Sequence, residues 1–189
     1  MAEIIFDGII LAAGEGRRMG LPKALLEIGG ARLALLQRNL LMDAGCGSVA
    51  TVIGSEARRV RDGLGDFPGI VENPDFKDGQ FSSLVKGLLS INPERWAVVL
   101  PVDVFPVKVQ TVKFLMGKAA PPLDAISPVF DGRSGHPVIL SPKLCALIRA
   151  MPPASSRLDL VLRSCRRAFA GVDDKAVASN LNRPEDARC

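Results

Sequence analysis

The chain has 189 residues, 48% hydrophobic, 23% charged and 5% aromatic, with a formal net charge of +4. That length and balance fit one globular domain over residues 1–189, and no apolar run approaches the roughly 18 residues that a membrane span needs. Basic residues are scattered without interleaved aromatics, which argues against a nucleic-acid surface and suits an anionic small molecule.

The opening "MAEIIFDGII" has no basic segment followed by a long apolar stretch and a small-residue cleavage site, so a cytoplasmic location is expected. Residues 4–12, "IIFDGIILA", are almost continuously apolar, as in a strand buried on both faces of a parallel sheet. "LALLQRNLLMDA" (33–44) carries apolar positions at helical spacing and stops at Gly45 and Gly47 before the strand-like "SVATVIG". A charged helix "EARRVRDGL", a short apolar "GIVEN", a helix starting near Gln80 and a buried strand "WAVVLPVD" follow. This alternation predicts right-handed βαβ crossovers and an open, mostly parallel, three-layer α/β/α sheet that binds ligands at the carboxyl ends of its strands.

The second half is less regular. "DAISPVFDGRSGHPVILS" reads as two short strands around a glycine-rich turn, an inserted hairpin over the sheet, broken by Pro128 and Pro137. Helices are expected over about 142–150 and 156–165, then a strand near "AFAGV" and a last helix opened by "NLNRPEDA". "MPPASS" reads as a hinge or exposed loop. Cys46, Cys145, Cys165 and Cys189 form no CxxC pair, and with His136 as the sole histidine they supply no zinc set; they read as buried or incidental thiols.

The densest signal is "IILAAGEGRRMGLPKALLEIGG", residues 9–30. Gly14, Gly16 and Gly20 let the chain turn tightly and aim backbone N–H groups into one concavity, while Arg17, Arg18 and Lys23 add charge-assisted donors. Such a loop cradles a triphosphate. It lacks the Gly-Lys-Ser/Thr of a Walker A loop, and Met19 replaces the third glycine of a dinucleotide fingerprint. The alternative is a turn that only reverses the chain, with its arginines in solvent.

The pattern LAAGxGxRMG, then PK, then GG, resembles the signature of nucleotidyltransferases that activate metabolites from an NTP. Only Gly20 and Leu21 separate the RM from the PK, which is similar to the MobA-like NTP transferases, the molybdenum-cofactor cytidylyl- and guanylyltransferases, rather than to sugar-nucleotide pyrophosphorylases. "NPDFKDGQFSSLVKGL", "VVLPVDVFPV" and "GRSGHPVIL" extend the resemblance over nearly the whole chain. It implies a Rossmann-like nucleotide-diphospho-sugar transferase fold. Ala13 stands where the guanylyl branch has glycine, and Gly-His-Pro is similar to the cytidylyl branch, so CTP is the expected donor and molybdopterin the acceptor, for a molybdenum hydroxylase partner.

The resemblance also implies roles. Lys23 with Arg17 or Arg18 would neutralise the triphosphate, and Leu11, Ala12, Ala13, Gly14 and Gly16 would form the nucleotide loop. Ser82 and Ser83 would offer hydroxyls and N–H groups to the nucleotide, or serve as ordinary first-turn helix residues. Asp103 ends an apolar strand and is expected to bind Mg²⁺, or else to cap a helix starting near Pro106. Asn182 matches a second metal ligand, or caps a helix with Glu185. His136 is assigned to acceptor binding or loop shaping, and Arg157, with Arg163 as alternative, to the acceptor's phosphate. Other readings are a GTP-using molybdenum-cofactor guanylyltransferase, a cytidylyl- or uridylyltransferase acting on a sugar or polyol phosphate, and a non-catalytic binding protein on the same fold.

Overall fold

The computed structural model describes residues 4–16 and 20–181. Its strands are β1 Phe6–Ala12, β2 Glu27–Ile28, β3 Ala31–Arg32, β4 Val49–Ile53, β5 Ile70–Glu72, β6 Trp96–Pro101, β7 Ala125–Phe130, β8 Arg133–Ser134, β9 Val138–Leu140 and β10 Arg167–Gly171. The helices are α1 Leu33–Ala44, α2 Ala57–Leu64, α3 Gln80–Leu89, α4 Val109–Met116, α5 Pro142–Arg149 and α6 Leu158–Arg163. The main sheet runs β10-β7-β9-β6-β1-β4-β5, with β8 on β7; β2 and β3 form a separate pair.

β1 lies between β6 and β4, parallel to both, and all seven of its residues are buried. Its side chains alternate between the two faces of the sheet. Phe6, Ile10 and Ala12 join a core with Leu33 and Leu41 of α1, Val60 of α2 and Leu115 of α4. Ile9 and Leu11 join a second core with Leu84 and Leu88 of α3, Ile148 of α5 and Leu162 of α6. These two cores make the three layers, and each fully buried isoleucine of β1 contributes about 1.5–3 kcal/mol through its burial. An Ile10→Asp change would place an unpaired carboxylate in that core and break it.

Asp7 is the polar exception in this strand. Its buried carboxylate accepts N–H bonds from Ser48 at 3.0 Å, Asn92 at 3.2 Å and Arg95 Nη1 at 3.0 Å, tying together the loops at the amino end of the sheet. The opposite, carboxyl end of β1 and β6 is left for ligands. The helix stops are local: Gly45 takes φ 107° after α1, and the Ser141 hydroxyl accepts the Leu144 N–H before α5.

Two expectations change. The hairpin after Asp124 does not lie over the sheet but within it: β9 runs antiparallel between β6 and β7, with Ile139 between Val98 and Ile126. Asp103 caps no helix, because α4 begins at Val109, after Lys108. "MPPASS" contains a 3-10 turn over Pro153–Ser155, and the helix expected beyond "NLN" falls outside the described residues. Among the described residues no helix is long and apolar enough to cross a membrane.

Candidate active site

Two loops meet at the carboxyl ends of β1 and β6. After Ala12 the chain turns through Gly14 and Gly16; Gly16 has φ +56°, and a Cβ there would stand 2.8 Å from the Leu21 carbonyl, so only glycine fits. The chain then enters a 3-10 turn over Lys23–Leu25, whose buried Ala24 and Leu25 anchor it and leave Lys23 facing outward. Past β6, Val102 donates its N–H to the Leu11 carbonyl at 3.0 Å, which brings Asp103 beside the glycine loop. The Lys23 ammonium donates to Asp103 Oδ2 at 2.7 Å.

The Asp103 backbone is held from two further directions. Leu181 donates its N–H to the Asp103 carbonyl at 2.7 Å, and Gln37 Nε2 donates to the Val104 carbonyl at 2.6 Å. Val104 is fully buried and pairs with Asn180.

Lys23 and Asp103 stand in a cleft of about 840 Å³. Leu11, Ala12, Ala13, Gly14 and Gly16 line it, together with Ser83, so those sequence-predicted residues do come together. Ser82 does not reach it. Its buried hydroxyl accepts from Asn73 Nδ2 at 2.9 Å and lies within hydrogen-bonding distance of the Asp75 and Gly79 carbonyls, so it braces the start of α3. Asn73 Nδ2 also donates to Ser83 Oγ at 3.1 Å. Arg17, Arg18 and Asn182 lie outside the described residues.

A second cleft, of about 690 Å³, adjoins the first, and Leu11, Gly79 and Gln80 border both. His136 and Arg157 line it, so the two predicted acceptor residues meet there. Burial lowers the His136 pKa to about 4; Arg167 also lowers it, while Asp103 opposes the shift. His136 is therefore a neutral imidazole at neutral pH, and among the described residues its buried Nδ1 has no hydrogen-bond partner. Arg157 is exposed and turned onto Asp159, at 2.9 and 3.2 Å.

Sequence reasoning missed Phe76, Lys77 and Gln80 in the first cleft and Arg167 in the second. The first three sit inside "NPDFKDGQFSS", where attention fell on the serines alone. Burial pushes the thiols of Cys46 and Cys145 up to about 12, which makes them inert packing groups.

An open α/β sheet that gathers a glycine loop, a lysine and a strand-end aspartate into one cleft is the framework of a nucleotidyltransferase. Residues 8–170 match the model of the MobA-like NTP transferase domain, and the chain belongs to that family. It is 26% identical over 192 residues to a Bacillus cereus protein named "Probable molybdenum cofactor guanylyltransferase", covering 96% of this chain and 93% of that protein. It is 32% identical over 142 residues to nicotine blue oxidoreductase of Paenarthrobacter nicotinovorans, covering 70% of this chain and 69% of the relative. Among solved structures, Rv0371c of Mycobacterium tuberculosis H37Rv superposes with a TM-score of 0.77 at 20% identity, over 98% of this chain and 97% of its own. Rv0371c has also been solved in complex with manganese.

Proposed function

We propose that this nucleotidyltransferase moves a nucleoside monophosphate from an NTP onto the phosphate of molybdopterin and releases pyrophosphate. The observation that carries the reading is the 2.7 Å pair of Lys23 and Asp103 in the cleft beside the glycine loop. An acceptor phosphate oxygen attacks the α-phosphorus, the bond from that phosphorus to the bridging oxygen breaks, and the electron pair leaves with pyrophosphate. The nucleophile is already ionised at neutral pH, so no general base is needed. This agrees with His136, whose pKa of about 4 makes it a poor proton acceptor at neutral pH. Lys23 offsets the charge that builds on the triphosphate, and the loop N–H groups orient it.

The donor set suits Mg²⁺. Among the described residues no group of three or more His, Cys, Asp or Glu side chains gathers, so an ion here would take one carboxylate and complete its shell with substrate oxygens and water. Mg²⁺ binds in that way. Asp103, with Asn182, would hold it, and the ion would supply charge neutralisation at the phosphates. The second cleft, which meets the first at Leu11, Gly79 and Gln80, is the acceptor site in this reading.

The names of the Bacillus relatives favour GTP as donor. A CTP reading is supported by Ala13: its buried methyl faces Gly54, where an added Cβ would stand only 2.9 Å from it, so the loop is narrower there than with glycine. A cytosine product would suit a molybdenum hydroxylase. The test is transfer of α-³²P label from GTP, CTP, UTP or ATP to molybdopterin with Mg²⁺, by wild type and Ala13→Gly. Labelled product with GTP supports the first reading. Labelled product with CTP, moving toward GTP in Ala13→Gly, supports the second, and labelled product with none of the four nucleotides removes molybdopterin as acceptor.

A further inference from the structure

Three arginines line the second cleft, and two of them are already matched by a carboxylate. Arg157 binds Asp159 through Nε and Nη2, Arg163 Nη2 lies 3.8 Å from the same carboxylate, and both side chains are largely exposed. Arg167, on β10, is different. Its Nε donates to Ser127 Oγ at 2.9 Å, its Nη2 donates to Ser134 Oγ at 2.7 Å, and its guanidinium lies 4.5 Å from the centre of the Phe169 ring. No carboxylate among the described residues pairs with it.

Two hydroxyls and one ring fix the guanidinium plane without neutralising it. Ser127 is fully buried, so the tether is built into the sheet rather than borrowed from solvent. A guanidinium has five N–H donors, and Arg167 Nη1 donates to no group among the described residues. A half-buried cation held in this manner is poised for an anion, and a planar fork matches a phosphate. The cleft floor beside it is apolar, built from Leu11, Phe81, Leu84, Val138 and Leu162.

We propose that Arg167, rather than Arg157, anchors the anionic group of the acceptor, so that the second cleft selects a phosphate monoester whose remaining body lies on the apolar floor. The proposal rests on reading the second cleft as the acceptor site. His136 lines the same cleft and feels the charges of both Arg167 and Asp103, which places the anchored anion within electrostatic reach of the first cleft.

His136 is the sole histidine, so its imidazole ¹⁵N signals report on this cleft without overlap. The full chain, labelled with ¹⁵N-histidine and saturated with Mg²⁺ and a non-hydrolysable NTP analogue, is titrated with inorganic phosphate. Wild type and Arg157→Gln are expected to show a saturating shift of the His136 signals, and Arg167→Gln to lose it while keeping its response to the NTP analogue. A shift that survives in Arg167→Gln, or that is lost in Arg157→Gln alone, overturns the proposal; so does a wild type that shows none. In transfer assays Arg167→Gln should raise the acceptor KM about 10- to 100-fold with the NTP KM and kcat little changed, and Arg167→Lys should recover part of it. A merely structural strut would lower kcat and NTP binding together. Should wild type label no molybdopterin at all, the acceptor identity fails while the phosphate titration still decides the role of Arg167.

Discussion

The Lys23 ammonium and the Asp103 carboxylate lie 2.7 Å apart across eighty positions of sequence, joining the loop after β1 to the turn after β6. β1 and β6 are parallel neighbours in register from Phe6 opposite Trp96 to Leu11 opposite Pro101, so the two strands end level and their loops share one rim. The pair thus follows from strand order. Its side chains keep 19% and 26% of their surface exposed, which leaves both open to a ligand.

Removing either partner is therefore expected to damage transfer far more than folding. Lys23→Met and Asp103→Asn should each lower kcat/KM by about 10²- to 10³-fold, the usual loss when one preorganised charge is withdrawn from a reacting phosphate. Stability should change by about 1 kcal/mol or less, since a solvent-accessible pair contributes little. Urea unfolding beside steady-state transfer separates the two effects. A loss of transfer below tenfold would remove the pair from the chemistry.

The adjacent serines should behave differently. Ser82 is enclosed by Asn73 and the carbonyls of Asp75 and Gly79, so Ser82→Ala should cost roughly 1–3 kcal/mol and leave the NTP KM within about twofold. Ser83 lines the cleft, and Ser83→Ala should raise the NTP KM several-fold. Equal effects of the two changes on KM would show that the start of α3 acts as one unit rather than through the Ser83 hydroxyl.

How far these roles could be read in advance depended on how local their causes are. β1, α1, β4 and α3 are legible because an unbroken apolar run, a helical period and a glycine stop are properties of neighbouring residues. Asp103 and Lys23 are legible because each sits at a fixed offset from such an element. The place of β9 is not, since nothing in "GHPVIL" states that it slots antiparallel between β6 and β7. Arg167 is harder still: Arg163, Arg166 and Arg167 are crowded together, and what distinguishes one of them is a pair of serines contributed by β7 and β8.

β9 and its approach carry a sharp steric condition. Gly135 passes so close to the turn at Lys175–Ala178 that an added Cβ would stand 1.9 Å from the Val177 carbonyl, while the next residue, His136, donates its N–H to that same carbonyl at 2.8 Å. Backbone faces backbone here, so neither side can yield cheaply. Gly135→Ala should cost roughly 2–3 kcal/mol in thermal or urea unfolding and shift the His136 imidazole signals. A change under about 0.5 kcal/mol would mean that the turn and the β9 approach are not packed together in solution.

His136 should also leave a mark on the pH dependence of stability. Burial holds its folded pKa at about 4, below the ordinary 6.5, so as pH falls the unfolded chain takes up the proton first. Stability is then full above pH 6.5 and declines as pH drops toward 4, by about 2 kcal/mol by pH 5. Carboxylates titrate mostly below that range, so the window from pH 6.5 to 5 isolates the imidazole. His136→Asn removes the titrating group, and its unfolding free energy should be nearly flat across this window while that of wild type falls. Parallel curves for the two proteins would place His136 in water rather than in the wall of the second cleft. The same neutral imidazole predicts no inflection near pH 6.5 in kcat, because a group uncharged throughout that range can neither gain nor lose a proton there.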